Sequence, residues 1–396
     1  MNTFTTAFDY AWKISRGITW EQLVWLSMRA VLGLLGMIED GRMVITLMDG
    51  RRAPQVELMV LKMFWVRLTL FSDMGFSEAY MVREVDCTIS STLTSPLKSL
   101  LRSTNNLQNS LLNVSAHYDM SNEMFAAFLS PDMTYSCAIF PPSPVDAPAT
   151  TTGGLEAAQY TKLRRLIASA RIKSTDRILE IGTGWGSFAM EAVAQTGFRE
   201  RKALAEKRIA AVGMVDKINV LLCDYRAFPA PRKKFDKIGS IEMLEAVGGE
   251  YLEKYFEVVD CMLKDDGGIS VFQCITMPKG RPESQTRGND FIRKYIFPGG
   301  YLPSNSQPMN AVNKGSSGNL AFDSRENFLR TFHDRIAPSL RKEYPGMNEE
   351  DVQVFNRKWE YYFAYCEARF RAKILNDIIF TRAREGAMEL YEGIPL

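Results

Sequence analysis

Arg177-Ile178-Leu179-Glu180-Ile181-Gly182-Thr183-Gly184-Trp185-Gly186, running on into Ser187-Phe188-Ala189-Met190-Glu191, is the stretch whose reading decides the fold. An aliphatic run ends in an acid, three glycines alternate, and a helical pattern begins. Glycine lets the backbone turn tightly and approach a ligand that a Cβ would push away. The helix that follows presents unpaired N–H groups and the positive end of its dipole to the same place. A strand, a ligand-holding turn and a helix are therefore expected in that order.

The glycine spacing separates two readings. A dinucleotide fingerprint runs G-x-G-x-x-G/A, its third small residue letting helix pack on strand. Here the order is G-x-G-x-G, with Ser187 in the dinucleotide pattern's third place, which leaves a nicotinamide oxidoreductase with little support. The form E-x-G-x-G-x-G instead resembles motif I of S-adenosylmethionine-dependent methyltransferases. Taken alone, the loop could equally be a tight strand-to-helix connection. Glu180 and the motifs downstream argue against so bare a role.

Composition bounds the rest. At about 150 residues per domain, 396 residues suggest two or three domains. The apolar fraction, 46%, is ordinary for a globular core, and a net charge of +2 argues against nucleic acid as a partner. No window reaches the roughly 18 uninterrupted apolar residues of a membrane span, because Arg29 and Glu39 cut off Ala30–Ile38. No secretory signal is evident, and six cysteines without a CxxC pair speak for a reducing, cytoplasmic setting and against zinc. With only His117 and His333, no metal site is expected. Any general base must be a carboxylate or something brought in from outside.

Along the chain, Trp20–Ile38 reads as an amphipathic helix. Asp40-Gly41 turns into a strand over Met43–Leu47, with Asp49-Gly50 as a hairpin-type turn. Val56–Val66 reads as a strand that Arg67–Phe71 extends and Ser72-Asp73-Met74-Gly75 closes. Residues 1–110 then form a small α+β domain ending in a polar linker, Ser103–Ser110, and residues 111–396 a second domain. In that second part, Lys202–Val212 reads as helix, Ile218–Cys223, Phe235–Ile241 and Gly268–Ile275 as strands, and Glu250 to Leu263 as helix. Such alternation predicts a doubly wound, mostly parallel α/β sheet with its ligand site at the strands' carboxyl ends. The Pro/Gly/Asn-rich region at about 278–318 is too long for an ordinary connection and reads as a lid or substrate wall.

Two upstream segments, Ala116-His117-Tyr118-Asp119-Met120-Ser121-Asn122-Glu123 and Asp132-Met133-Thr134-Tyr135-Ser136-Cys137, pass individually for a helix N-cap and a loop with a buried thiol. Three later segments stand with them: Ile241-Glu242-Met243-Leu244-Glu245-Ala246-Val247-Gly248, Lys294 to Ser304, and Trp359 to Glu367. Together, and in this order around motif I, they closely resemble the cyclopropane-fatty-acyl-phospholipid synthase family, which includes mycolic acid methyltransferases. The resemblance runs from about residue 40 to the C-terminus. It implies a class I methyltransferase-type sheet and transfer of a methyl(ene) group from S-adenosylmethionine to the cis double bond of a phospholipid acyl chain. The product would be a cyclopropane or a methyl branch. Work at a membrane surface is implied too, with Trp20–Ile38 and Arg232-Lys233-Lys234 available for docking, and a homodimer is compatible with it.

Alkene carbons are poor nucleophiles, so such a site needs dryness, aromatic faces for a developing cation and a base. Tyr135, Tyr295, Phe297, Tyr301, Tyr361 and Tyr362 could supply faces, although each also suits a plain core. The resemblance implies a bound bicarbonate as base, its cradle carried over onto Cys137, Glu245, Ile275 and Tyr362. Glu245 would orient the anion and Tyr362 donate to it. Gln273 stands where several relatives have histidine and can still donate a hydrogen bond. For S-adenosylmethionine the resemblance implies Tyr135 and Ser136 from the upstream loop, Glu180, Gly182, Gly184 and Gly186 from motif I, and Asp224-Tyr225 near the adenine.

The sequence departs from the family in two places. Thr196-Gly197-Phe198-Arg199-Glu200-Arg201 passes directly into Lys202-Ala203-Leu204, where relatives carry a strand ending T-L-S-x-x-Q that contacts the ribose. A second gap follows Arg325-Glu326-Asn327, where relatives have G-x-H-Y. The sheet is therefore expected to lack its second strand and the chain to bind cofactor weakly. That opens an alternative, a catalytically impaired lipid-binding relative.

Overall fold

A computed structural model describes residues 20–35, 46–47, 59–60, 62–86, 122–140, 152–196, 206–211, 213–214, 217–221, 223–278, 290–328 and 349–392. The elements in chain order are α1 (Trp20–Leu35), β1 (Thr46–Leu47), β2 (Met59–Val60), α2 (Lys62–Met81), β3 (Val85–Asp86), α3 (Asn122–Phe128) and α4 (Thr152–Ser169). They continue with β4 (Ile178–Ile181), α5 (Ser187–Thr196), α6 (Glu206–Ala211), β5 (Lys237–Ile241), α7 (Leu244–Val247), α8 (Leu252–Met262) and β6 (Ile269–Thr276). A π-helical turn (Ile292–Ile296), α9 (Gln307–Gly315), β7 (Ala321–Phe328), α10 (Glu349–Arg371) and β8 (Asn376–Ala383) complete the order. The Asp40-Gly41 and Asp49-Gly50 turns, the Ser103–Ser110 linker and His117-Tyr118 lie outside the described residues.

The main sheet has the order β4-β5-β6-β8-β7. The first three strands run parallel, β8 is antiparallel to β6, and β7 is antiparallel to β8. One face is covered by α8 and α9, where Phe256 meets Phe272 edge-on at 5.3 Å and Phe272 stacks on Phe380 at 5.1 Å. On the other face Leu163, Leu166 and Ile167 of α4 and Phe188 and Ala192 of α5 meet Val271 and Ile379. Gly239 of β5 makes that contact possible, since a Cβ there would lie 2.8 Å from the Phe188 ring. Every parallel strand thus ends at the same edge of the sheet as the glycine loop.

Three expectations change. Ile218–Cys223 is not a strand among the described residues, and β4 ends the described sheet. The physical reason is the missing neighbour: a strand without a partner cannot satisfy its N–H and C=O groups in a ladder. Ile218 instead buries its side chain with Ile178, Val193 and Ile209. Val56–Phe71 is not one strand either; after the two-residue β2 the chain enters α2. Phe64, Trp65 and Leu68 recur at helical, not alternating, spacing and share one core. The turn read at residues 72–75 is helical too, inside α2, although α2 bends there: Gly75 approaches Arg67 so closely that a Cβ would lie 2.1 Å from its carbonyl oxygen. Eight residues of straight helix would separate them by about 12 Å. Finally, β1 and β2 are parallel, which a tight hairpin turn cannot connect.

The described part of the first 110 residues does not stand apart. Val24 and Met28 of α1 and Phe64, Trp65 and Tyr80 of α2 pack with Phe291, Ile296, Tyr361 and Tyr365. Arg67 pairs with Glu84 at 2.7 Å and Glu78 at 3.4 Å, and Tyr80 donates to Glu360 at 2.6 Å. This layer backs the wall formed by 290–304, whose Tyr301 ring lies over Gly249.

Candidate active site

The glycine loop leaves β4 with Gly182, Gly184 and Gly186 at φ +88°, +52° and +85°, the left-handed region that glycine tolerates. A Cβ on Gly182 would press on Met243 at 3.2 Å, whereas one on Gly184 would meet nothing within 4 Å. The loop therefore presents bare backbone to open space at its middle glycine. Its flanks are tied down: the Trp185 indole donates to Asn122 Oδ1 at 3.0 Å, and the Ser187 hydroxyl donates to the Asp132 carbonyl. Arg208 of α6 donates to the carbonyls of Trp185 and Pro131, both at 3.0 Å. The Glu180 carboxyl is enclosed, and burial pushes it up to about 8 against the opposing pull of the Lys162 charge and an Ala189 N–H. Its Oε2 has no hydrogen-bond partner among the described residues.

Beside the loop, residues 130–137 thread between α4 and the ends of β5 and β6. Gln159 donates to the Thr134 and Ser136 carbonyls at 3.2 and 2.8 Å, fixing the path. Lys162, 0% exposed, donates to the Ser136 hydroxyl. Burial lowers its pKa, with Glu242 and Asp377 pulling it back up. The Cys137 N–H donates to Glu242 Oε1 at 2.7 Å. Gln273 Nε2 sits amid three acceptors: the Cys137 carbonyl at 3.0 Å, Glu242 Oε1 at 3.0 Å and Asp377 Oδ2 at 2.6 Å. The Ile275 N–H donates to Glu245 Oε1.

Three carboxyl groups thus converge, and the charge of the buried Lys162 ammonium acts on two of them, Glu242 and Asp377. Burial raises the pKa of all three; beyond that, the Glu242 charge pushes Glu245 up to about 8 and helps hold Asp377 well above the carboxylate range. The Cys137 thiol is likewise pushed well up, by burial and then by Glu242, which favours the neutral thiol. Glu242 itself stands at φ +47°, a strained conformation for a residue with a Cβ. Over the cluster, the Tyr362 and Tyr135 hydroxyls are 3.2 Å apart, and Tyr135 stacks on Phe297 at 6.3 Å and 17°.

A family profile described as "Mycolic acid cyclopropane synthetase" matches residues 105–379. The chain belongs to this family. Among its relatives, the tuberculostearic acid methyltransferase UfaA1 of Mycobacterium tuberculosis is 36% identical over 288 residues, 69% of this chain and 65% of that protein. The cyclopropane-fatty-acyl-phospholipid synthase of Escherichia coli K12 is 29% identical over 291 residues, 69% of each chain. The chain therefore spans just under two thirds of the first relative's length. Among solved structures, the cyclopropane synthase MmaA2 of Mycobacterium tuberculosis superimposes with a TM-score of 0.52 at 23% identity, covering 69% of this chain and 98% of that one. The mycolic acid cyclopropane synthase CmaA1, solved with SAH and CTAB, gives 0.53 at 23%, covering 72% and 99%. These likenesses show the class I methyltransferase fold.

In this cyclopropane synthetase family member, Cys137, Glu245, Gln273 and Ile275 do meet in one cluster, and Tyr362 lies with Tyr135 above it. Ser136 is tied to Lys162. Asp224 and Tyr225 are engaged otherwise: the Asp224 carboxylate accepts from the Arg226 backbone and guanidinium at 2.6–2.9 Å. The Tyr225 ring packs edge-on against Tyr255 at 5.0 Å. Of the six aromatic candidates, Tyr361 and Tyr295 belong to the N-terminal layer, one on Phe291 at 4.6 Å and the other donating to Glu78 at 2.7 Å. Sequence reading missed Glu242, Asp377 and Lys162. A carboxylate directly after β5 was signal enough for Glu242. A lysine on a helix and an aspartate starting a strand carry none.

Proposed function

We propose that the chain transfers a one-carbon group from S-adenosylmethionine to the cis double bond of an unsaturated phospholipid acyl chain, yielding a cyclopropane or methyl-branched product. The observation that carries this reading is adjacency: Met243, next to Glu242, lies so near Gly182 that a Cβ there would come within 3.2 Å of it, so the open glycine loop and the buried acid cluster share one wall. The residues fit S-adenosylmethionine, with bare backbone at Gly184 and a Glu180 Oε2 that has no hydrogen-bond partner among the described residues. Tyr135, Ser136, Glu180, Gly182, Gly184 and Gly186 would hold it. When bound it supplies an electrophilic methyl group whose bonding pair departs on sulfur.

The chain's own residues do the rest. Tyr135, Phe297 and Tyr362 offer ring faces to a carbon centre gaining positive charge. The layer of α1 and α2 behind the 290–304 wall keeps water from it. Lipid access at a membrane surface is supported by Trp25 and Leu26 on α1, 50% and 49% exposed. No helix among the described residues is long and apolar enough to cross a membrane. The glycine loop and the acid cluster are both formed, which counts against the impaired lipid-binding alternative.

The test is calorimetric titration with S-adenosylmethionine and S-adenosylhomocysteine, followed by a labelled-methyl assay on unsaturated phospholipid vesicles. Label recovered in the acyl chains, absent from saturated controls, is expected. Cofactor binding with no label in any lipid would overturn the proposal.

A further inference from the structure

The bicarbonate implied by the resemblance does not fit the cluster. The main-chain N–H groups of Cys137 and Ile275, two of the positions assigned to its cradle, already donate to the carboxylates of Glu242 and Glu245. An N–H has one hydrogen and makes one good bond. A further anion would also enter beside Glu242, Glu245 and Asp377, with Lys162 as the buried cation opposite them. The ligand atoms of Cys137, Glu242 and Asp377 are within 4.8 Å of one another, and Gln273 Nε2 bridges the two carboxylates.

Building on the reaction proposed above, we infer that this chain carries its base within itself: the Glu242 carboxylate takes the place of bicarbonate and accepts the proton that the alkylated lipid loses. Two glutamates stand on the cradle's donors, and their surroundings differ. Glu242 Oε1 accepts from both the Cys137 N–H and Gln273, and the Lys162 charge favours its ionised form. Glu245 has no such cation among the causes acting on it, lies beside the Glu242 charge, and keeps an Oε2 with no partner among the described residues. Of the two, Glu242 is thus the one whose carboxylate is held by two donors and favoured by a nearby cation.

In the step itself, a C–H bond of the newly added carbon breaks and its proton forms an O–H bond on Glu242. The electron pair stays with the lipid. It closes the three-membered ring on the cationic carbon or, after a hydride shift has moved the cation to the branched carbon, forms the C=CH2 double bond of a methylene branch. One positive and one negative charge disappear together, and the acid later returns its proton to water.

Two readouts test this. Wild-type protein saturated with S-adenosylhomocysteine is titrated with ¹³C-bicarbonate and followed by NMR line broadening. No binding is expected, and saturable binding overturns the inference whether or not the enzyme turns over. Methyl transfer is then measured in bicarbonate-depleted buffer with and without added bicarbonate. Wild-type rate should change by less than about twofold, and E242Q, checked for folding by calorimetry with S-adenosylhomocysteine, should fall at least about 100-fold. A wild type that needs added bicarbonate, or an E242Q variant within about threefold of wild type, refutes it. Absence of methyl transfer in every lipid would defeat the functional proposal while the NMR experiment still decides this one.

Discussion

Replacing Glu180 by Gln should change how stability depends on pH. Glu180 sits at the end of β4, and its folded pKa is about 8 against an ordinary 4.5, raised mainly by burial. Between those values the folded chain keeps the proton and the unfolded chain releases it. The folded state then binds more protons, so stability falls as pH rises through the window and levels off above about 8. Each pH unit inside the window corresponds to about 1.4 kcal/mol from this one group. Gln cannot ionise, so that contribution is absent in E180Q. From pH 5.5 to pH 7.5 the variant should therefore gain about 3 kcal/mol relative to wild type. The other buried acids titrate in both proteins and cancel in the comparison. Urea unfolding followed by tryptophan fluorescence at half-unit pH steps measures the difference. Parallel stability curves would refute the claim that Glu180 is held protonated by its burial.

Gly239→Ala should destabilise by about 1–3 kcal/mol, because the new methyl meets Phe188 at 2.8 Å. Adding Phe188→Leu should recover part of that loss, and two independent additive losses in thermal unfolding would contradict the contact. Trp25→Ser should lower partitioning onto anionic vesicles about tenfold with little change in melting temperature; unchanged sedimentation with the vesicles would remove α1 as the docking element. Inserting a strand-forming segment after Thr196 should tighten S-adenosylhomocysteine binding, read by calorimetry. A folded insertion variant with unaltered affinity would show that the shortened sheet does not limit the pocket.

The sequence alone determined the strand–loop–helix at 177–191, the alternation that builds β4, β5 and β6, and the family. Glycine spacing, an aliphatic run and helical periodicity act over a few residues, so they are legible without partners. It misread Val56–Phe71, where short apolar runs fit strand and helix equally until Phe64, Trp65 and Leu68 find a common core. It misread Ile218–Cys223, where a strand-like run had no neighbour to pair with. Tertiary structure alone decided the chemistry of the acid cluster. Lys162 comes from a helix, Glu242 from the end of β5, and Asp377 from β8, where antiparallel register sets it opposite Ile275. A carboxylate's charge state depends on which groups surround it after folding and how much water they exclude. That is a property of long-range packing, and no local pattern encodes it.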